Sequence, residues 1–369
     1  MNRFLLARPD GVLRASGMRA SFPDPRQAAA ALRKWPTGPE VGPKLIVGAL
    51  PFDPGEPAAL WQPESALHTA GPWRPAALPP LPAVRVVAQQ PSPAEHMARV
   101  AALVERLADP ADELRKVVAA RSVVVEAAQP LEPEVVAGQL LTRHPSASVY
   151  AVDLTAAGRP GETLLGATPE VLVTRHGDRV GLHPLAGTLP RLTDPAADAA
   201  QAKELLASTK NHDEHAYVID WIRERLTPVC AELRIPDGPE LLGTEQVWHL
   251  ATPIHGVLRD PSTTALDLAL LLHPTPAVNG TPFDAALTAI TTAERRGFYG
   301  GAVGWCAEDG DGEWVVAIRG AELSADLRTL RATAGGGIVA ASEPRAELAE
   351  TTAKFRTLLG ALGCRLPED

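Results

Sequence analysis

The chain has 369 residues, enough to bury a sizeable core without staples, and a hydrophobic content of 45% rules out wholesale disorder despite 36 prolines. A net charge of −9 and only 4% aromatic residues argue against a nucleic-acid partner, because phosphate neutralisation needs a basic face and single strands need stacking platforms. Cys230, Cys306 and Cys364 lie far apart with no Cys-x-x-Cys, the N-terminal apolar stretch is too short for a signal peptide, and no apolar run spans a membrane; a cytoplasmic location is expected.

Residues 1–90 read as loop-rich, with short strands at 45–50 and 84–88. Between them GPWRPAALPPLP (71–82) carries five prolines in twelve residues and can be neither helix nor central strand. From Pro93 onward the character changes. Met97, Val100, Ala101, Val104 and Leu107 recur at helical spacing and predict a helix over 94–108. Val117, Val118 and Val123 to Val125 predict a strand pair or one long strand. A helix is expected over 132–143, a strand over 148–154, and neighbouring strands over 164–175 and 180–185. Helical periodicity covers 196–207 and 212–234, and 247–258 is strand-like. A short helix over 265–272 is stopped by His273-Pro274. The DGDGE turn predicts a hairpin of 300–306 with 314–321, followed by a strand over 327–334 and a closing helix over 344–362. Strands arrive in pairs and hairpins rather than in βα alternation, which predicts an α+β domain with antiparallel sheets.

Several side chains could carry chemistry. Glu347, Glu350 and Lys354 lie at i, i+3 and i+7 on the closing helix and project from one face. They form either a solvated acidic stripe with a Glu350–Lys354 pair or part of a site. Gly335-Gly336-Gly337 precedes them and would let backbone approach a ligand, or is a plain turn. Asn211-His212-Asp213-Glu214-His215 opens another helix. His212 and His215 lack a clear third ligand for zinc, whereas Glu214 facing the closing-helix carboxylates would suit magnesium. Lys116, at the edge of an apolar strand, is an exposed strand-end lysine or a buried general base. A base would need its pKa lowered by about three units. Glu170, behind Ala167-Thr168-Pro169, is a solvent-facing glutamate or a general acid re-aimed by a strand bulge. Arg319 inside VVAIR needs a carboxylate, from the protein or from a ligand. His273 reads as a helix-end histidine.

These pieces in order resemble the chorismate-utilising enzymes: isochorismate, salicylate, anthranilate and aminodeoxychorismate synthases. The matching runs are LRKVVAARS, LLGATPEVL, HPLAGTLPR, NHDEH, VWHLATPI, LHPTPAVNGTP, RRGFYGGAVGW, WVVAIRGAEL and GGGIVAASEPRAELAETTAKF, from about residue 93 to the end. The resemblance implies one large α+β unit, two packed antiparallel β-sheets flanked by helices with the site in a cleft between them. Residues 1–92 would then belong to the same unit as the catalytic region 93–369.

The resemblance also implies chemistry. Lys116 marks members that add water rather than ammonia. Ala277 stands where salicylate synthases typically have threonine. Together they imply an isochorismate synthase, with a salicylate synthase or a non-catalytic chorismate-binding protein as alternatives. Lys116 would activate water for attack at C2 of chorismate, and Glu170 would protonate the hydroxyl leaving C4. Mg2+ would be held by Glu214 and Glu350, with Glu347 close by. Arg319, Tyr299 and backbone near Gly335 would hold the enolpyruvyl carboxylate. Gly187 and Thr188 would lie against the ring, Lys354 by its carboxylate, and His249 would orient the substrate or a nearby carboxylate. Asn211 departs from the Asp or Glu common there and is a candidate helix N-cap. A monomer feeding an isochorismate-using enzyme of siderophore or menaquinone biosynthesis is expected.

Overall fold

The computed structural model describes residues 3–35, 42–75 and 77–367. Met1 and Asn2 of the N-terminal stretch, and Ala76 of the proline-rich connector, lie outside the described residues. Its described strands form three antiparallel sheets. A ten-stranded sheet contains Lys116–Ala127 and Thr329–Ile338, and a nine-stranded sheet contains Val171–His176 and Gly312–Val316. The third and smallest sheet comprises Leu185–Pro190, Val247–Ala251 and Glu240–Gly243, an addition to the two expected.

The two large sheets face each other through a core of Phe4, Leu6, Val47, Trp61, Tyr150, Val303 and Val315. The alternation of strand side chains puts a second apolar set on each outer face. On the ten-stranded sheet that set (Val123, Val125, Leu330) is covered by helices Pro133–Arg143 and Pro344–Ala361 through Leu140, Phe355 and Leu358. On the nine-stranded sheet, Leu182 and Trp314 pack against helices Thr209–Leu226 and Ala265–Leu272 through Val218, Ile222 and Leu268. The layers are therefore helix, sheet, sheet, helix, an α+β architecture.

The described residues among 1–90 are more regular than their composition implies. Arg3–Ala7 and Gly11–Ser16 form a hairpin whose first strand pairs with Ser148–Asp153. Leu45–Leu50 pairs with Ala302–Ala307 in the other large sheet. The described part of 71–82 contains neither helix nor strand. Val117 to Val125 belong to one long strand, Lys116–Ala127, paired from Ile338 opposite Val117 to Thr329 opposite Glu126.

Three expected strands are each two. The run 164–175 breaks at Pro169-Glu170, leaving Thr163–Thr168 in the ten-stranded sheet and Val171–His176 in the nine-stranded one. The run 247–258 breaks at Thr252-Pro253 and changes from the small sheet to the nine-stranded sheet. The run 314–321 ends at Val316 and resumes at Gly320 in the ten-stranded sheet. At Pro169 and Pro253 the strand loses a ladder donor and the chain turns to another sheet, whereas the break after Val316 contains no proline. The helix expected to reach residue 234 stops at Leu226, ahead of Thr227-Pro228, and Cys230–Arg234 is an edge strand. Helix Phe283–Ala293 had no counterpart in the sequence reading. Among the described residues no helix is long and apolar enough to cross a membrane, and Cys230, Cys306 and Cys364 are free thiols.

Candidate active site

A cavity opens where the chain passes between sheets. Glu170, Gly187, Thr188, Glu214, His249, Ala277, Tyr299, Arg319, Gly335, Glu350 and Lys354 all line it. Two candidates lie just behind its wall. Lys116, fully buried, reaches the lining Glu214 with Nζ 3.2 Å from Oε1, and Glu347 sits behind Gly336. All thirteen predicted residues are thus gathered in one place from ten separate segments of the chain.

Glu170 occupies the corner between two sheets rather than a bulge within one strand, and it is 4% exposed. Burial pushes its carboxyl up to about 7, although the Leu185 backbone, Arg319, Lys116 and Lys354 all pull it down. A carboxyl in that range still holds its proton for part of the time near neutrality. Arg319 lies beyond its strand, not inside it, in the left-handed region at φ 56. That conformation is uncommon for a side chain with a Cβ and turns the guanidinium into the cavity.

Three lysines pair with three glutamates. Lys116 faces Glu214, Lys210 Nζ donates to Glu347 Oε1 at 2.7 Å, and Lys354 Nζ donates to Glu350 Oε1 at 2.5 Å and to the Gly335 carbonyl at 2.7 Å. The glycines make this clustering possible. A Cβ on Gly337 would stand 2.1 Å from Glu214 Oε1 and 2.8 Å from Lys116 Cε, and one on Gly336 would stand 2.9 Å from Glu347 Oε2. The Glu350–Lys354 pair expected of an acidic stripe forms, but the stripe is not solvated: Glu347 is buried and Glu350 lines the cavity.

The carboxylates differ in charge preference. Burial raises Glu214, but Lys116, Lys210 and Lys354 overcome it and the net shift is downward. Burial and the neighbouring Glu350 push Glu347 up to about 7. Glu347 Oε2 is buried without a hydrogen-bond partner, while Oε1 accepts from both Lys210 and the Ser342 hydroxyl. Among the described residues no group of three or more His, Cys, Asp or Glu side chains is placed to hold a metal ion by itself. An orphaned carboxylate oxygen beside two further carboxylates nevertheless fits Mg2+, which keeps part of its shell as water and ligand oxygen. The two histidines weighed for zinc face away from each other's partners: His212 contacts the Leu206 carbonyl, and His215 contacts the Ala186 carbonyl and the Thr252 hydroxyl. His273 caps its helix and contacts the Pro51 carbonyl.

Asn211 is not the N-cap. Ser208 holds that place and its hydroxyl accepts from Asn211 N–H. Two residues that support the site carry little or no local signal in the sequence. Lys210 stands four before Glu214, a helical pairing distance that could have flagged it. Arg296 has no such signal. It is buried and donates from Nη1 to the Val278 carbonyl and from Nη2 to the Val118 carbonyl, each at 2.6 Å. It thereby ties together two walls of the cavity.

The family model described as chorismate binding enzyme matches residues 58–363. A protein of Mycobacterium tuberculosis provisionally named isochorismate synthase MenF is 50% identical over 368 residues, covering 98% of this chain and 96% of its own. The isochorismate synthase DhbC of Bacillus subtilis is 41% identical, covering 98% and 93%. The crystal structure of DhbC from Bacillus anthracis, provisionally named a 2,3-dihydroxybenzoate-specific isochorismate synthase, superposes with a TM-score of 0.88 at 36% identity and covers 98% of this chain and 96% of that one.

Proposed function

The chain belongs to the chorismate-binding enzyme family, and we propose that it is an isochorismate synthase, moving the hydroxyl of chorismate from C4 to C2. The observation that carries this reading is a cavity lined by the buried Glu170 carboxyl with Arg319 and Lys354, with the buried Lys116 amine directly behind the lining Glu214. Lys116 takes a proton from water as it attacks C2. The ring double bonds shift, and Glu170 protonates the oxygen departing from C4. One proton is taken up and one is delivered, so the isomerisation balances without an external acid or base.

The remaining lining groups bind and orient. Arg319 and the Tyr299 hydroxyl meet the enolpyruvyl carboxylate, and Gly187 and Thr188 lie against the ring. A divalent cation, Mg2+, would be held by Glu214 and Glu350 with Glu347 beside them, supplying positive charge that anchors the ring carboxylate. In a chain of net charge −9, a dianionic ligand depends on such local cations, not on long-range steering. Glu350→Gln should weaken Mg2+ binding by about tenfold or more in calorimetric titration, by loss of a ligand charge. An unchanged titration would remove Glu350 from the ligand set.

Ala277 is the lining residue that argues for stopping at isochorismate, because the family's pyruvate-eliminating members typically have threonine there. Ala277→Thr should divert part of the flux to salicylate and pyruvate, read by separating the products. A product profile identical to the parent would strip Ala277 of that role. The deciding experiment is incubation of the protein with chorismate and Mg2+ followed by product separation. Isochorismate as the main product is expected. Salicylate plus pyruvate would make it a salicylate synthase, and Mg2+-dependent binding without turnover would make it a binding protein.

A further inference from the structure

One wall of the cavity is a continuous hydrogen-bonded chain. The Thr188 N–H donates to Asn211 Oδ1 at 3.3 Å, and Asn211 Nδ2 donates to the Ser208 hydroxyl at 2.8 Å. The Thr188 hydroxyl lies 2.9 Å from His249 Nδ1, and His249 Nε2 lies 2.8 Å from Arg319 Nη2. Thr188 and His249 sit opposite each other in the small sheet, so backbone pairing holds the register of this chain.

One member fixes the direction of the whole. A guanidinium has only donors, so His249 Nε2 must accept. The imidazole's remaining proton then belongs on Nδ1, where it faces the Thr188 oxygen. The Gly187 carbonyl, which can only accept, also hydrogen-bonds this ring. Burial, with Arg319 and Lys354 nearby, holds His249 well below its ordinary pKa and keeps the ring neutral. Both ring nitrogens are thus occupied within the protein. The Thr188 oxygen accepts from the ring, which leaves its own hydrogen to turn into the cavity it lines.

We propose that His249 is a positioning residue and not a proton-transfer group: fixed as the Nδ1–H tautomer, it holds the Arg319 guanidinium on one side and makes the Thr188 hydroxyl a donor to an oxygen of the ligand on the other. Asn211 anchors the far end of this chain through Thr188 and Ser208, which gives it a use in the wall. Arg319 needs such an anchor, because its strained backbone alone does not fix a long side chain. The tautomer rests on geometry alone, and its bearing on turnover rests on the isochorismate synthase reading.

Two measurements test the proposal separately. Nitrogen NMR of the uniformly labelled full chain should show a protonated Nδ1 and a bare Nε2 from about pH 6 to 8, the window in which an ordinary histidine titrates. The signal is identified by its loss in His249→Gln. A proton on Nε2, or titration to imidazolium in that window, would overturn the assignment whatever the chain's substrate. In kinetics with chorismate, His249→Asn keeps a donor toward Thr188 and loses the acceptor for Arg319. KM should rise about tenfold, as for a lost hydrogen bond to a charged group, with kcat within about threefold and both limbs of its pH profile retained. A kcat loss beyond about a hundredfold at unchanged KM, or a missing limb, marks a proton-transfer group instead. Wild-type protein without turnover would sink the synthase reading and leave the nitrogen result standing.

Discussion

In the Lys116→Ala variant we expect turnover of chorismate to fall by about 10²–10⁴-fold while calorimetric affinity stays within about threefold, the pattern of a group that acts in chemistry and not in anchoring. Lys116 opens the long strand of the ten-stranded sheet and is fully buried. Its Nζ lies 3.2 Å from Glu214 yet makes no well-directed hydrogen bond, so the amine is close to a carboxylate without being locked to it. Deletion leaves Glu214 buried without that partner, which costs up to about 3–5 kcal/mol when nothing else compensates. Lys210 and Lys354 also face Glu214, so the lower end is expected and the variant should fold. Thermal unfolding of the variant separates a lost base from a lost structure. Turnover within tenfold of the parent in a folded variant would take the role of base away from Lys116.

Glu170→Gln should produce a loss of similar size, about 10²–10⁴-fold, because an amide cannot deliver a proton to a departing oxygen. The pH dependence adds a second signature. The acid works in its protonated form, and burial sets it at about 7. In the parent, kcat/KM should fall as pH rises through that value, and the variant should lack this limb. Stability falls over the same range. A carboxyl raised from 4.5 to about 7 on folding contributes fully below the unfolded value, and that contribution is lost as pH rises through the folded value. The loss is bounded at roughly 3 kcal/mol by the size of the shift. The glutamine variant pays no such cost, so it should melt above the parent at pH 8 and level with it near pH 4.5. A parent profile flat through neutrality, with no gain in melting temperature, would remove Glu170 as the acid.

The elements that the sequence made legible are those with their own local signal: the amphipathic run from Pro93, the valine-rich strand, the DGDGE hairpin and the closing helix. What it concealed depends on partners distant in the chain. The runs 164–175 and 247–258 carry apolar residues on both sides of each break, so periodicity alone does not show that their halves enter different sheets. The stretch 227–234 continues a helical pattern, but Pro228 ends the helix and the edge of the nine-stranded sheet recruits Cys230–Arg234. The site followed the same division. Glu347, Glu350 and Lys354 share a helical face and could be grouped by spacing. Lys210 finds Glu347 137 residues away, and Arg296 finds Val118 178 residues away. Asn211 looked like a cap because caps are defined by one neighbouring amide; in the fold Ser208 caps the helix and Asn211 Oδ1 accepts instead from Thr188, on a strand met only in the folded chain.

The corners at Glu170 and Arg319 each mark a place where the chain leaves one large sheet for the other. The acid and the guanidinium therefore act as rivets through both layers, whereas Lys116 belongs to the ten-stranded layer alone. If the layers slide past each other, the two rivets travel together and the distance from acid to base changes. A misplacement of about 1 Å can cost a hundredfold in rate. On the proposed mechanism, the apolar seam between the layers, Trp61 and Val315 among its residues, would then set the acid-to-base distance from well outside the cavity.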